Sequence, residues 1–220
     1  MRDQIAAFLS QPAVLIGWLG VSFACVGVLL WDFRRANPEI GRLMKVVWAL
    51  TVLYSGPVGL LVYWMTGRKQ IARDTIWRRG WRSTAHCYSG CGMGEIVGLV
   101  LAVGILALGT VPTALVTFAF AFTFGILLTL GPLMHDGVPF GEAMQDSLVS
   151  ETASIVMMEV VAIGVDLWLA GGAGLGDVLF WTAMMTSLTL GLFAAWPVNV
   201  ALVRFGVKEG MHDPREMAKA

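Results

Sequence analysis

At 220 residues and 23.7 kDa, the chain has the length of one or two soluble domains, but its composition excludes that class. Hydrophobic residues make up 57% against 14% charged, with a mean hydropathy of +0.73, so the surface must face mostly lipid. Three Cys exclude a disulfide scaffold, and a balance of 15 basic against 15 acidic residues excludes a nucleic-acid binder.

The charge balance conceals an asymmetry. All Lys and Arg lie at Arg2–Arg82 or Arg204–Lys219, so the 121 residues from Ser83 to Val203 contain no base. The same stretch holds eight acids: Glu95, Asp136, Glu142, Asp146, Glu151, Glu159, Asp166 and Asp177.

Six segments have the length and apolarity of spanning helices: 12–31, 46–65, 86–108, 111–133, 148–169 and 178–203. The expected architecture is all-α, a polytopic six-helix transmembrane bundle forming one domain over 1–220. Loop charges set its orientation. Both termini in the cytoplasm place eleven bases inside against four outside, all four in Asp32–Lys45. Several of the nine Trp fall near predicted span ends, and Arg73–Trp81 reads as an interfacial segment or a solvated loop.

The predicted third span concentrates the chemistry. Gly90, Gly94 and Gly98 form a small-residue stripe suited to close helix packing, with the predicted fifth span as the expected partner. Cys87, Cys91 and Glu95 recur every four residues on a neighbouring face, and His86 and Met93 flank the glycines on the other side. Cys and Gly are also ordinary packing residues in membrane helices, and His86 could simply satisfy a carbonyl. Glu95 resists that reading, because a carboxylate near the midplane is costly unless neutralised or paired. A Cys87–Cys91 disulfide is disfavoured by regular helix geometry.

The predicted fifth span carries Glu151, Glu159 and Asp166 within one arc, with Met158 at its border. Glu159 is expected at the depth of Glu95. With no base inside 83–203, the two carboxylates are protonated, share a proton or hold a cation. Nearby sulfur and imidazole favour Cu(I) or Zn(II). The expected metal set is His86, Cys87, Cys91, Met93, Glu95, Met158 and Glu159. Glu151, Asp166 and Asn199 are expected pathway residues, and Pro57 and Pro197 read as kinks.

The C-terminal string Phe193-Ala-Ala-Trp-Pro-Val-Asn-Val-Ala-Leu-Val-Arg-Phe-Gly-Val-Lys-Glu-Gly-Met211 and His86-Cys87 before a glycine-rich turn carry a resemblance. With Leu53-Tyr-Ser-Gly-Pro-Val-Gly59, they resemble an uncharacterised prokaryotic multi-pass membrane family known as a domain of unknown function. The resemblance extends from about Trp31 to Met211. It implies location in the prokaryotic inner membrane and a suspicion of metal handling.

The leading expectation is therefore a small transporter of a copper- or zinc-type cation. Its partners are the lipid bilayer and that cation, with homo-oligomerisation open and nucleic acid excluded. A non-catalytic membrane subunit with protonated acids is the alternative. A thiol-dependent membrane redox protein comes third, since no CxxC motif or nucleophile elbow is present.

Overall fold

The computed structural model describes residues 1–211 and 213–217, and among them the regular structure is helical, with no strand. A short α1 (Arg2–Leu9) precedes α2 (Pro12–Arg35), α3 (Arg42–Ser55) and α4 (Pro57–Thr66). Next come α5 (Ile76–Leu99), continued by a π-helical turn at Val100–Ile105, and α6 (Thr110–His135). The chain closes with α7 (Phe140–Leu169), α8 (Val178–Arg204) and a single turn, α9 (Pro214–Met217). Five helices are long and apolar enough to cross a membrane: α2, α5 with its π turn, α6, α7 and α8.

The predicted second span is different. At Gly56 the backbone adopts φ +53° and ψ −125°, which glycine alone reaches cheaply, and Pro57 then starts a new helix. The two limbs fold against one another. A Cβ on Gly59 would stand 2.7 Å from the Thr51 carbonyl, and one on Gly67 would stand 2.7 Å from the Trp48 indole. Trp48 and Tyr63 meet edge-on with centroids 5.3 Å apart. At 14 and 10 residues the limbs reach only about 21 and 15 Å, short of a hydrocarbon core of about 30 Å. The segment thus enters and leaves at the same end of the bundle. Pattern alone counted 46–65 as one apolar run, and the reversal at Gly56-Pro57 is what breaks it.

The hairpin is pinned where it returns. Asp32, buried at the end of α2, accepts hydrogen bonds from Tyr63 Oη (2.6 Å), Asn37 Nδ2 (2.7 Å) and Arg68 Nη2 (2.7 Å). Its tip lies deep, with Gly56 beside Ser22 and Trp18 of α2, and Tyr54 against Gly92 of α5. Re-entrant backbone is tolerated at that depth because protein surrounds it.

This fold-back redistributes the charges. The loops at 36–41, 67–75 and 136–139 and the end of α8 share one end of the bundle. Every described Lys and Arg except Arg2 lies there. Arg2 is at the other end, where its Nε donates to the Trp168 carbonyl at 2.6 Å, and Thr182 Oγ1 donates to the Leu9 carbonyl at 2.9 Å. The chain therefore begins at one end and leaves α8 at the other, which corrects the expectation of both termini on one side. The basic loop 32–45, an anomaly under six spans, falls into place among the other bases.

Two apolar clusters hold the molecule together. One joins α5, α6, α7 and α8 around Tyr88, Ile155, Met158, Leu188 and Leu192. The other joins α2 to the hairpin around Leu29, Phe33, Trp48 and Tyr63. The segment Arg73–Trp81, read as interfacial or loop, instead starts α5 after a Thr75 cap whose Oγ1 accepts from the Arg78 amide. There Trp81 stacks on Trp196 at 4.5 Å.

Candidate functional site

α5 is the axis of the site because two of its faces are used differently. The glycine stripe packs on α6. A Cβ on Gly90 would stand 3.0 Å from Gly125 Cα, one on Gly98 would stand 2.8 Å from Thr117 Cα, and Gly94 sits against the Phe120 carbonyl. The expected partner was the predicted fifth span, now α7. The correction has a simple cause, since α6 offers its own small residues, Thr117, Ala121 and Gly125, at matching intervals.

The Cys87, Cys91 and Glu95 face is turned to α7. Ser154 Oγ donates to Cys87 Sγ at 3.5 Å, and the Cys87 and Cys91 sulfurs, both free thiols, are 3.9 Å apart. Two thiolates on a tetrahedral zinc, each at about 2.3 Å, would be separated by about 3.8 Å. Glu159 lies within electrostatic range of both thiols and of Glu95, and Glu95 within range of Asp166. All four carboxylate oxygens of Glu95 and Glu159 are buried without a hydrogen-bond partner among the described residues. So is one oxygen of Asp166.

Glu95, Thr117 and Asp166 line a common cavity of about 20 Å³, and Thr117 Oγ1 is also unpartnered. That volume suits one water or a small ion held by three oxygen-bearing groups. Asp166 also lines a cavity of about 110 Å³ with Thr110 and Gly171, at the end opposite the basic loops, where Arg2 lies beside Gly171. Along α7, Glu151, Glu159 and Asp166 therefore form a row rising about 22 Å, most of a hydrocarbon core.

At the basic end of the row the picture changes. Glu151 is not an uncompensated acid, because Lys208 Nζ donates to its Oε2 at 2.6 Å. The same ammonium donates to Asn199 Oδ1 at 2.9 Å, which also accepts from Ser83 Oγ at 3.2 Å. Thr129 Oγ1 donates to Glu151 Oε1 at 3.1 Å and stands 3.4 Å from His86 Nε2. His86 and Thr129 line a vestibule of about 680 Å³ open at this end.

The remaining expected ligands are dispersed. Met93 is 36% exposed on the outer surface of the bundle, away from the buried acids, because the glycines beside it face α6. Met158 is buried, yet it packs against Gly191 of α8. His86 belongs to the Glu151 network, nearer the basic end than Glu95. Among the described residues, no three His, Cys, Asp or Glu side chains converge closely enough to hold a metal ion. α8 runs through Pro197 without interruption.

Sequence reasoning missed Lys208, Thr129, Ser83 and Thr117. Lys208 was grouped with the tail bases, although Gly206 and Gly210 bracket it and both take positive φ, at +72° and +77°. Those two glycines were the available signal that the chain turns back into the bundle.

No curated protein and no solved structure matches the chain. A family profile described as "Domain of unknown function (DUF4396)" matches residues 76–208, from the start of α5 through Lys208, leaving α1–α4 and α9 outside. The chain belongs to that domain family of unknown function.

Proposed function

We propose that the chain is a prokaryotic inner-membrane protein of five spans and one re-entrant hairpin that carries a cation through the α5–α7 interface. The positive-inside rule puts the basic end, and with it the end of α8, in the cytoplasm. The N-terminal end, with Asp166 and its cavity, then faces outward. The path runs from Glu151 past Cys87 and Cys91 to Glu159, Glu95 and Asp166.

One observation carries this reading: Glu159, near two thiols at a metal-compatible separation, and its neighbour Glu95 hold four buried carboxylate oxygens without a partner among the described residues. Such acids are costly in a membrane unless a proton or cation visits them. The cargo class is a borderline or soft metal ion, Zn(II) or Cu(I), by the chemistry of thiol and carboxylate donors. With no third His, Cys, Asp or Glu closing the shell among the described residues, the pair is suited to transit rather than permanent retention.

The test is metal-loaded uptake in proteoliposomes, with zinc and then copper(I) supplied at the cytoplasmic face. The reading expects flux that Cys91→Ser and Glu95→Gln each abolish. Equal flux in both variants and the parent overturns it. A second reading, proton transfer alone, is favoured by the same unpartnered acids, and flux of protons without metal dependence would select it.

A further inference from the structure

Where α8 ends, the chain turns back into the protein. The Val207 and Lys208 amides both donate to the Leu202 carbonyl, at 3.0 and 3.3 Å, closing a glycine-capped helix end that aims Lys208 inward. Lys208 is 8% exposed, although it lies outside the spanning stretch. The following residues are clasped from α5: Arg79 Nη2 donates to the Glu209 carbonyl, and Arg82 Nη2 to the Met211 carbonyl at 3.1 Å. Arg82 is itself fixed by a two-pronged pair with Asp74 at 2.9 Å.

The inserted ammonium sits among oxygens that would suit any small cation. Glu151 supplies a carboxylate and Asn199 an amide carbonyl, both directed at Nζ. Hydroxyls of Ser83 and Thr129 donate to Asn199 Oδ1 and Glu151 Oε1. Glu151 begins the acid row, and its partner Thr129 is a wall of the vestibule. A mobile cation arriving from the vestibule would meet this group before any other acid of the row.

We propose that Glu151 and Asn199 form a cation-binding site at the cytoplasmic mouth, and that Lys208 is a tethered cation occupying it until cargo displaces it. The inference rests on the cation-path reading above, but it makes a claim of its own about access. An ammonium on a flexible four-carbon stem can leave without unfolding a helix. The Arg79 and Arg82 clasps then set how readily the hook carrying Lys208 swings out. Displacement exchanges one positive charge for another at Glu151, so the carboxylate need not be left bare.

The experiment reads access directly. Ser83 is changed to Cys in a protein whose three native Cys are Ser, and a cationic methanethiosulfonate reagent is applied at the cytoplasmic face. With Lys208 present, labelling is slow. The paired change Glu151→Gln with Lys208→Met leaves no unpaired charge and removes the plug, so labelling rises by about tenfold or more. Arg79→Ala, which frees the hook while keeping both partners, raises it as well. Zinc at millimolar concentration slows labelling in the Lys208→Met protein but not in the paired variant, because Glu151 is the ligand. Labelling as slow as the parent in both the paired variant and Arg79→Ala overturns the plug. Zinc protection that persists in the paired variant overturns the site. Neither outcome depends on whether metal crosses the membrane, so failure of the transport reading is recognised separately by the flux assay.

Discussion

The backbone of Gly67 lies against the indole of Trp48, at a separation where a Cβ would stand 2.7 Å from the ring. That contact joins the two limbs on either side of Gly56, whose reversal sets the course of the rest of the chain. A straight helix over the same residues would carry Gly67 to the far side of the bundle from Arg42. The reversal instead returns it beside Asp32 and Asn37, where Arg68 and Lys69 are bonded.

The first prediction follows for accessibility. Glu39 and Gln70 are both exposed, one before the hairpin and one after it. Single cysteines at these positions should react with an impermeant thiol reagent from the same side of oriented vesicles. A crossing segment would put them on opposite sides, and opposite labelling would refute the hairpin.

A second prediction concerns its anchor. Asp32 gathers three donors, from Tyr63, Asn37 and Arg68, while being 3% exposed. Asp32→Ala strips the partner from all of them and should cost roughly 2–4 kcal/mol, since a hydrogen bond to a charged group contributes about 1.5–3 kcal/mol. Arg68→Ala should cost less, because Tyr63 and Asn37 still donate to the carboxylate. Denaturation in detergent, with proteolysis at 67–75 as a local readout, measures both. An Arg68 variant that is the more damaged of the two would show that the charge, not the donor set, holds the hairpin.

The glycine stripe gives a third. Gly94 lies against the Phe120 carbonyl and Ala121, and backbone cannot withdraw as a side-chain tip can. Gly94→Leu should therefore separate α5 from α6 and destabilise by at least the ~1–3 kcal/mol typical of overpacking. Gly27 of α2 has open space around it, so Gly27→Leu should change stability by no more than about 0.5 kcal/mol. Melting temperatures in one detergent compare them, and equal losses would contradict the assigned packing.

How much of this was legible in the residues depends on the range of the interaction. Apolar length found four of the five long helices, and 148–169, with its three acids, was read as a span from its length and the turn signals on either side. The four-residue spacing of Cys87, Cys91 and Glu95 correctly put them on one face, and glycine spacing gave the close-packed stripe. What spacing cannot supply is which neighbour a stripe meets: both α6 and α7 were apolar candidates, and small residues at Thr117, Ala121 and Gly125 decided between them. The hairpin was hidden because hydropathy has no sign for direction. Ser55-Gly56-Pro57 reads equally as a kink or a reversal until Gly59 and Gly67 find Thr51 and Trp48. Lys208 was hidden for a related reason, since a base beyond the last span is ordinarily left in water. Its burial comes from the turn between Gly206 and Gly210, which the glycines signal without giving its direction.

The last prediction separates function from packing at the centre of the path. Glu159 is fully buried, and neither of its oxygens has a hydrogen-bond partner among the described residues. A group serving only the fold would not be kept in that condition, because an unpartnered carboxyl in a membrane opposes folding. Gln has nearly the same shape and no charge. Glu159→Gln should therefore lower stability by no more than about 1 kcal/mol, since it exchanges one buried polar group for another of nearly the same shape and adds no charge. The same change should reduce cation flux by about tenfold or more, since the carboxylate near both thiols and Glu95 is gone. Glu142→Gln, on the exposed first turn of α7, is the control and should alter neither quantity. Stability and flux are measured on one preparation, by thermal unfolding in detergent and by uptake after reconstitution. A Glu159 variant that loses stability while transporting normally would make this residue a structural one and leave the acid row without its centre.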